Sequence, residues 1–255
     1  MRPQAVLLDL DGVLYVEDEP VPGAREAVAA LRAAGLALRF VTNTTSKPRR
    51  LILERLARLG FDAADDELST PSALAVRRCR ERGRTRALLL VRDDVKEDFA
   101  GLDEAGADAD VVIVGDLGED FGYAVLNRAF ARLMDGADLI ALQKNRYWMR
   151  PDGLALDVGP FVAALEYAAR REAYVVGKPS AGFFATILGG LGIGPEDAVM
   201  VGDDVETDVG GALGAGLAGI LVRTGKFRAD ALAAAGVEPT AVVDSIADVP
   251  ALVGA

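Results

Sequence analysis

Apolar runs of strand length alternate with helical stretches along the whole chain, and this alternation restricts the architecture more than any other feature. Residues 5–8, 36–41, 67–70, 173–176, 198–201 and 217–222 read as strands, with 241–243 as a further edge strand. Helical stretches lie between them, at about 24–34, 47–59, 161–171 and 205–215, with another opened by Gly177-Lys178-Pro179. Strands joined through helices pair in parallel, because a parallel connection needs a long crossover. The expected fold class is therefore α/β, a doubly wound parallel sheet covered by helices. Residues 73–172 carry short apolar strands of their own at 87–91, 111–114 and 139–142, with helical stretches at 71–82 and 121–134. They read as an inserted α/β domain, which leaves 1–72 and 173–255 as the core. The acidic segment 93–110 is expected on a solvated surface, and Lys47, Arg49 and Arg50 on an exposed helix face. Phe121, Tyr123 and Phe130 stand at near-helical spacing and are expected in the core of the insert.

Composition narrows the chemistry. Lys and Arg number 28 and Asp and Glu 39, a net charge of −11, which disfavours non-specific contact with nucleic acid or an anionic membrane. An anionic substrate then needs local positive charge, from a metal ion or a placed Lys or Arg. The chain has no histidine. Ser-His triads and imidazole metal sites are excluded, and a general acid or base must be a carboxylate, Lys, Tyr or Cys. Cys79 is the only cysteine, so there is no internal disulfide and no Cys-based zinc site; its helical setting predicts passive packing. No apolar run nears the ~20 residues of a membrane span, and the chain enters its first strand too early for a signal peptide. A cytoplasmic protein with neither a membrane nor a nucleic-acid partner is the expectation.

Polar residues stand where the strands stop. The first strand runs into Asp9-Leu10-Asp11-Gly12, the second into Thr42-Asn43-Thr44, the run at 198–201 into Gly202-Asp203-Asp204, and Lys178 follows the run at 173–176. Residues i and i+2 of a strand share a face, so Asp9 and Asp11 are expected to reach one site. In an open parallel sheet, ligands bind beyond the carboxyl ends of the strands. Singly, each group reads as a turn, a helix cap or a solvated charge. Together, and in this order, they read as a site for a phosphate and a hard cation. Mg²⁺ takes oxygen ligands, usually one or two carboxylates with waters and phosphate oxygens. Asp9, Asp203 and the backbone carbonyl of Asp11 can supply them. Lys178 would neutralise a phosphate, and Thr42, Asn43 and Thr44 would donate hydrogen bonds to its oxygens.

These stretches resemble a known family. Asp9-Leu10-Asp11-Gly12-Val13-Leu14, Val41-Thr42-Asn43, Gly177-Lys178-Pro179 and Gly202-Asp203-Asp204-x-x-x-Asp208 are similar to the four motifs of the haloacid dehalogenase superfamily. An insert between the second and third motifs resembles the NagD-like branch with its C2 cap, as do Val21-Pro22-Gly23-Ala24 and Thr44-Thr45. Within that branch, Lys144-x-Arg146-Tyr147, Asp152-Gly153-Leu154-Ala155-Leu156, Gly159-Pro160-Phe161-Val162 and Thr224-Gly225-Lys226 are similar to the phospholysine phosphohistidine inorganic pyrophosphate phosphatase group.

The resemblance implies a Mg²⁺-dependent phosphatase acting on a small phosphorylated substrate, on a phosphomonoester or on a P–N or P–O–P bond. Asp9 would be the nucleophile, forming an aspartyl-phosphate. Asp11 would protonate the leaving oxygen and then deprotonate water. Asp204 and Asp208 would orient the metal loop. The stretch Gln143-Lys144-Asn145-Arg146-Tyr147-Trp148 is a candidate specificity loop, weighed equally against a solvated connection. Relatives of this type pair through their caps, which implies a homodimer. A phosphomutase or phosphotransferase would use the same intermediate, and a receiver-like phospho-Asp signalling module also combines acids, a Thr and a Lys. The receiver acceptor comes from a middle strand, however, and such domains are about half this size.

Overall fold

The computed structural model describes residues 2–150 and 153–255. They form two compact units. The first comprises the chain up to Thr42, Leu53–Ser69 and Lys178–Ala255; the second comprises Asn43–Ile52 and Thr70–Gly177. The second unit is thus longer than the insert expected at 73–172.

In the first unit, six strands among the described residues form a parallel sheet in the order Ala241–Val243, Ala218–Val222, Ala198–Gly202, Ala5–Asp9, Ala37–Val41, Leu68–Ser69. Ala5–Asp9 is buried along its whole length, as a strand covered on both faces must be. Its apolar run therefore shows no alternation. The chain leaves this strand for Ala37–Val41 on one side and returns to Ala198–Gly202 on the other. That reversal is a topological switch point, where the crossovers diverge and open a crevice at the carboxyl ends. Strand register brings the crevice residues level, with Asp9 opposite Val41 and Leu8 opposite Val201.

The second unit has its own parallel sheet, in the order Tyr174–Val175, Asp138–Ala141, Val111–Val114, Arg86–Leu90, Asp103–Glu104. Alternate residues of its central strand enter two apolar clusters. Val111 and Ile113 pack with Cys79, Val95 and Phe99, while Val112 and Val114 pack with Leu133, Val162 and Leu165. Cys79 is buried, and burial raises its thiol to about 11, as suits passive packing.

Several expectations need correction. The strand at 173–176 does not open the second half of the core. Tyr174–Val175 pairs with Ile140 and Ala141 in the sheet of the second unit, because helix Val158–Ala169 packs on that sheet and a short return lands on its neighbouring edge. The acidic segment is not wholly solvated, since its 3-10 turn Asp93–Phe99 buries Val95 and Phe99. Tyr123 is 83% exposed, at the start of helix Tyr123–Met134, although Phe121 stacks on Phe161 at 3.8 Å. Arg49 is half-buried, and its backbone N–H donates to Asp98 at 3.1 Å. Among the described residues, no helix is long and apolar enough to cross a membrane.

Candidate active site

Four ionisable side chains meet at the carboxyl edge of the first sheet, and all are buried: Asp9, Lys178, Asp203 and Asp208. Charged groups are almost never fully buried unless paired. Lys178 Nζ lies 2.7 Å from Asp9 Oδ1 and 2.6 Å from Asp208 Oδ1. Burial alone would lower the pKa of Lys178, but Asp208 and Asp9 together outweigh it and hold the ammonium above its ordinary range. The carboxyls move the other way. Burial raises Asp9, opposed by Lys178 and reinforced by Asp203. Burial and the neighbouring charge of Asp208 push Asp203 up to about 6, and burial with the charge of Asp9 pushes Asp208 up to about 6.

Asp203 is held by backbone. Its Oδ2 accepts the Lys226 N–H at 2.6 Å. Two glycines close around it: a Cβ on Gly12 would lie 1.9 Å from Oδ2, and one on Gly225 would lie 2.1 Å from it. Both have positive φ, +82° and +63°, so glycine is required here for space and for backbone conformation. The Thr224 hydroxyl donates to the Gly12 carbonyl, tying the two glycine loops together. Asp203 Oδ1 is buried with no hydrogen-bond partner among the described residues. Such an atom costs stability unless something meets it.

Asp9, Asp203 and Asp208 each offer an oxygen, and these atoms all lie within 4.8 Å of one another. Lys178 offsets only part of the repulsion among three carboxylates. The surplus negative charge, the all-oxygen donor set and the orphaned Oδ1 fit a hard divalent cation.

Asp208 therefore stands inside the carboxylate group, although the sequence pointed only to a supporting place. The segment expected as a helix at 205–215 begins as a π-helical turn, Val205–Gly210, before the short α-helix Gly211–Gly214. Such wide turns concentrate at functional sites, and this one carries Asp208 against Lys178. Asp204 caps it, accepting from the Glu206 and Thr207 N–H groups at 3.0 Å each. Its own N–H donates to Asp208 Oδ2 at 3.2 Å.

Asp11 does not follow the alternation argument, because the strand ends at Asp9. The chain turns at Leu10, whose carbonyl accepts from Leu14, and the side chain of Asp11 leaves on its own course. It is half-exposed, with Oδ1 4.0 Å from Arg55. Arg55 lies over the Tyr15 ring at 4.3 Å and donates to the Glu17 carbonyl in the hairpin of Tyr15–Val16 and Glu19–Pro20. Burial and the charge of Asp11 raise the Tyr15 hydroxyl above its usual range. Neither Arg55 nor Tyr15 was legible as a site residue; a helix arginine has no local mark of such a contact.

Thr42 is buried beyond its strand, with its N–H on the Ser69 carbonyl at 3.3 Å. Asn43 and Thr44 follow it in the chain and belong to the second unit. In that unit, Lys144 is committed to an ion pair with Glu166 at 2.6 Å. Gln143 donates to Asp157 and accepts from the Asn145 N–H, and Gly159 leaves no room for a Cβ against the Lys144 and Asn145 carbonyls. The first half of the expected specificity loop is thus a braced connection. Arg146 lies 5.6 Å from the Tyr147 ring. Tyr147 opens the antiparallel pair Tyr147–Arg150 and Gly153–Leu156 and is 53% exposed. Asp152 lies outside the described residues.

Comparison with known proteins gives this geometry a family. The family model described as haloacid dehalogenase-like hydrolase matches residues 6–105, and the HAD-hydrolase-like model matches residues 175–249. Haloacid dehalogenase-like hydrolase domain-containing protein 2 of Homo sapiens is 52% identical over 89% of this chain and 86% of its own length. Phospholysine phosphohistidine inorganic pyrophosphate phosphatase of Xenopus laevis is 43% identical over 88% of this chain and 85% of its own. The structure of a p-nitrophenyl phosphatase from Archaeoglobus fulgidus superimposes with a TM-score of 0.92 at 27% identity, over 99% of this chain and 100% of that one. The chain is an enzyme and belongs to the haloacid dehalogenase-like hydrolases.

Proposed function

We propose that this hydrolase is a Mg²⁺-dependent phosphatase that cleaves small phosphorylated metabolites through a covalent phosphate on Asp9. The observation that carries the reading is the buried set at the switch point, Asp9 bonded to Lys178 at 2.7 Å and grouped with Asp203 and Asp208. The names of two similar proteins, a p-nitrophenyl phosphatase and a phosphatase of phospholysine, phosphohistidine and pyrophosphate, support phosphorus as the centre attacked. The second of these names supports P–N and P–O–P bonds beside phosphomonoesters.

The steps follow from the side chains. An Asp9 carboxylate oxygen bonds to phosphorus while the bond from phosphorus to the leaving group breaks. Asp11 gives its proton to the leaving atom. Its half-exposed carboxyl suits exchange with a departing group and then with water. Water next bonds to phosphorus as Asp11 takes its proton; phosphate leaves and the Asp9 carboxylate is restored. Lys178 supplies fixed positive charge where the phosphoryl group passes, and Thr42 supplies a neutral donor. Asp9, Asp203 and Asp208, with the Asp11 carbonyl, would hold Mg²⁺, which when bound supplies charge neutralisation at the phosphoryl oxygens.

The direct test is hydrolysis of p-nitrophenyl phosphate, pyrophosphate and a phosphoramidate with Mg²⁺ and with a chelator. Release of phosphate only with the ion is expected; none from any of the three would overturn the proposal.

Stability gives an independent reading of the cation. In the ion-free chain, Asp203 titrates at about 6, against about 3.9 in an unfolded chain. A carboxyl raised by folding favours the folded state in its protonated form. That contribution is present below about pH 4 and is lost as pH rises through about 6. Asp203→Asn removes the loss. With chelator, the variant is expected to match the parent near pH 4 and to exceed it by on the order of 2–3 kcal/mol at pH 8. Mg²⁺ at pH 8 is expected to raise the melting temperature of the parent and leave that of the variant unchanged. An equal Mg²⁺ response in both would remove Asp203 from the cation site.

A further inference from the structure

The second unit carries a half-open cavity of about 180 Å³ at the amino ends of its parallel strands. Four guanidinium groups line it: Arg78 and Arg82 from the last turns of helix Pro71–Arg82, Arg84 just beyond, and Arg171 after helix Val158–Ala169. Only two acids join them, Asp138 and Glu172. Arg84 lies 3.4 Å from Asp138. Arg78, Arg82 and Arg171 make no ion pair among the described residues. Two of these three are nevertheless fixed in place, Arg78 at 4.2 Å over the Tyr174 ring and Arg171 by a 3.2 Å bond to the Ala137 carbonyl. In a chain of net charge −11, an excess of cations around one concavity runs against the overall balance. Like charges held together repel, and an anion between them relieves the strain.

We propose that this cavity is an anion site for a compact oligophosphate of the size of pyrophosphate. Arginine presents planar forks that pair with phosphate oxygens two at a time. Forks arriving from two separate chain segments suit a tetrahedral group with oxygens on every side better than a planar carboxylate. The volume is below the roughly 300–1,000 Å³ of sites for drug-sized ligands, which favours the inorganic anion over a nucleotide. The cavity belongs wholly to the second unit, and Asp9, Lys178, Asp203 and Asp208 to the first. The proposal therefore does not rest on the phosphatase reading.

Calorimetric titration of the full chain with sodium pyrophosphate, in chelator, tests it. The parent is expected to bind with a Kd below about 1 mM. Arg82→Gln combined with Arg171→Gln is expected to weaken binding by about tenfold or more. Both side chains are exposed, so the double variant should melt with the parent in the absence of pyrophosphate, and only the parent should gain melting temperature when it is added. Turnover of p-nitrophenyl phosphate should be equal in the two. Equal affinity in parent and double variant would place pyrophosphate elsewhere and overturn the proposal. So would the absence of binding by the parent up to on the order of 10 mM.

Discussion

Asp9→Asn is expected to lower turnover of p-nitrophenyl phosphate by roughly 10,000-fold or more while the protein stays folded. The amide oxygen can still accept the bond from Lys178 that Oδ1 accepts now at 2.7 Å, and the site carries one fewer like charge. What the amide cannot do is attack phosphorus and leave again as a carboxylate. Loss of turnover alone would not separate a nucleophile from a cation ligand, so the covalent step needs its own measurement. Rapid quenching with labelled substrate should leave label on the parent, released by hydroxylamine as an acyl phosphate is, and none on the variant. Turnover by Asp9→Asn within tenfold of the parent would end the assignment.

The edge that holds Asp9 was legible because apolar runs end abruptly in acids and hydroxyls. The strand at 5–8 had to be buried, so the first charged residue after it marked the sheet's carboxyl end. Asp203 followed from the same reasoning. Lys178 did not, because the strand before it, Tyr174–Val175, pairs in the sheet of the second unit. The position of Asp11 was not legible, because alternation along a strand holds only while the strand lasts, and this one stops at Asp9. Asp208 was expected only in a supporting place at the metal loop; the π turn that swings it to Lys178 depends on a bond from the Val209 N–H to the Asp204 carbonyl, which no residue pattern announces. Tyr174–Val175 is an apolar pair that would suit either sheet, and only the docking of the preceding helix decides which. Lys144 was chosen for its charge, but its partner Glu166 lies 22 positions away on a helix. Contacts of that kind, like Arg55 on Tyr15, arise when the chain folds back and leave no periodic trace.

Lys178→Met should produce the largest loss of stability in the core unit. The ammonium is the cation that lies within 2.7 Å of both Asp9 and Asp208. Without it, two buried carboxyls face each other and Asp203, and breaking a buried pair in this way costs about 3–5 kcal/mol. The pH dependence has a definite sign. Asp208 already titrates at about 6, and removing the lysine raises Asp208 and Asp9 further above the roughly 3.9 of an unfolded chain. The deficit should be small near pH 4, where Asp208 is protonated in the folded chain with or without the lysine, and should grow as pH rises past 6. Denaturant unfolding with chelator at pH 4.5 and pH 8 reads the difference. Adding Asp208→Asn to Lys178→Met should recover much of the stability, because it removes one of the stranded charges, so the two changes should be strongly non-additive. Activity should behave differently. Turnover should fall by about 10²–10³-fold in Lys178→Met and stay low in the double variant, because the positive charge at the phosphoryl position is missing from both. If the double variant regained activity along with stability, Lys178 would be a structural counter-ion with no part in the chemistry.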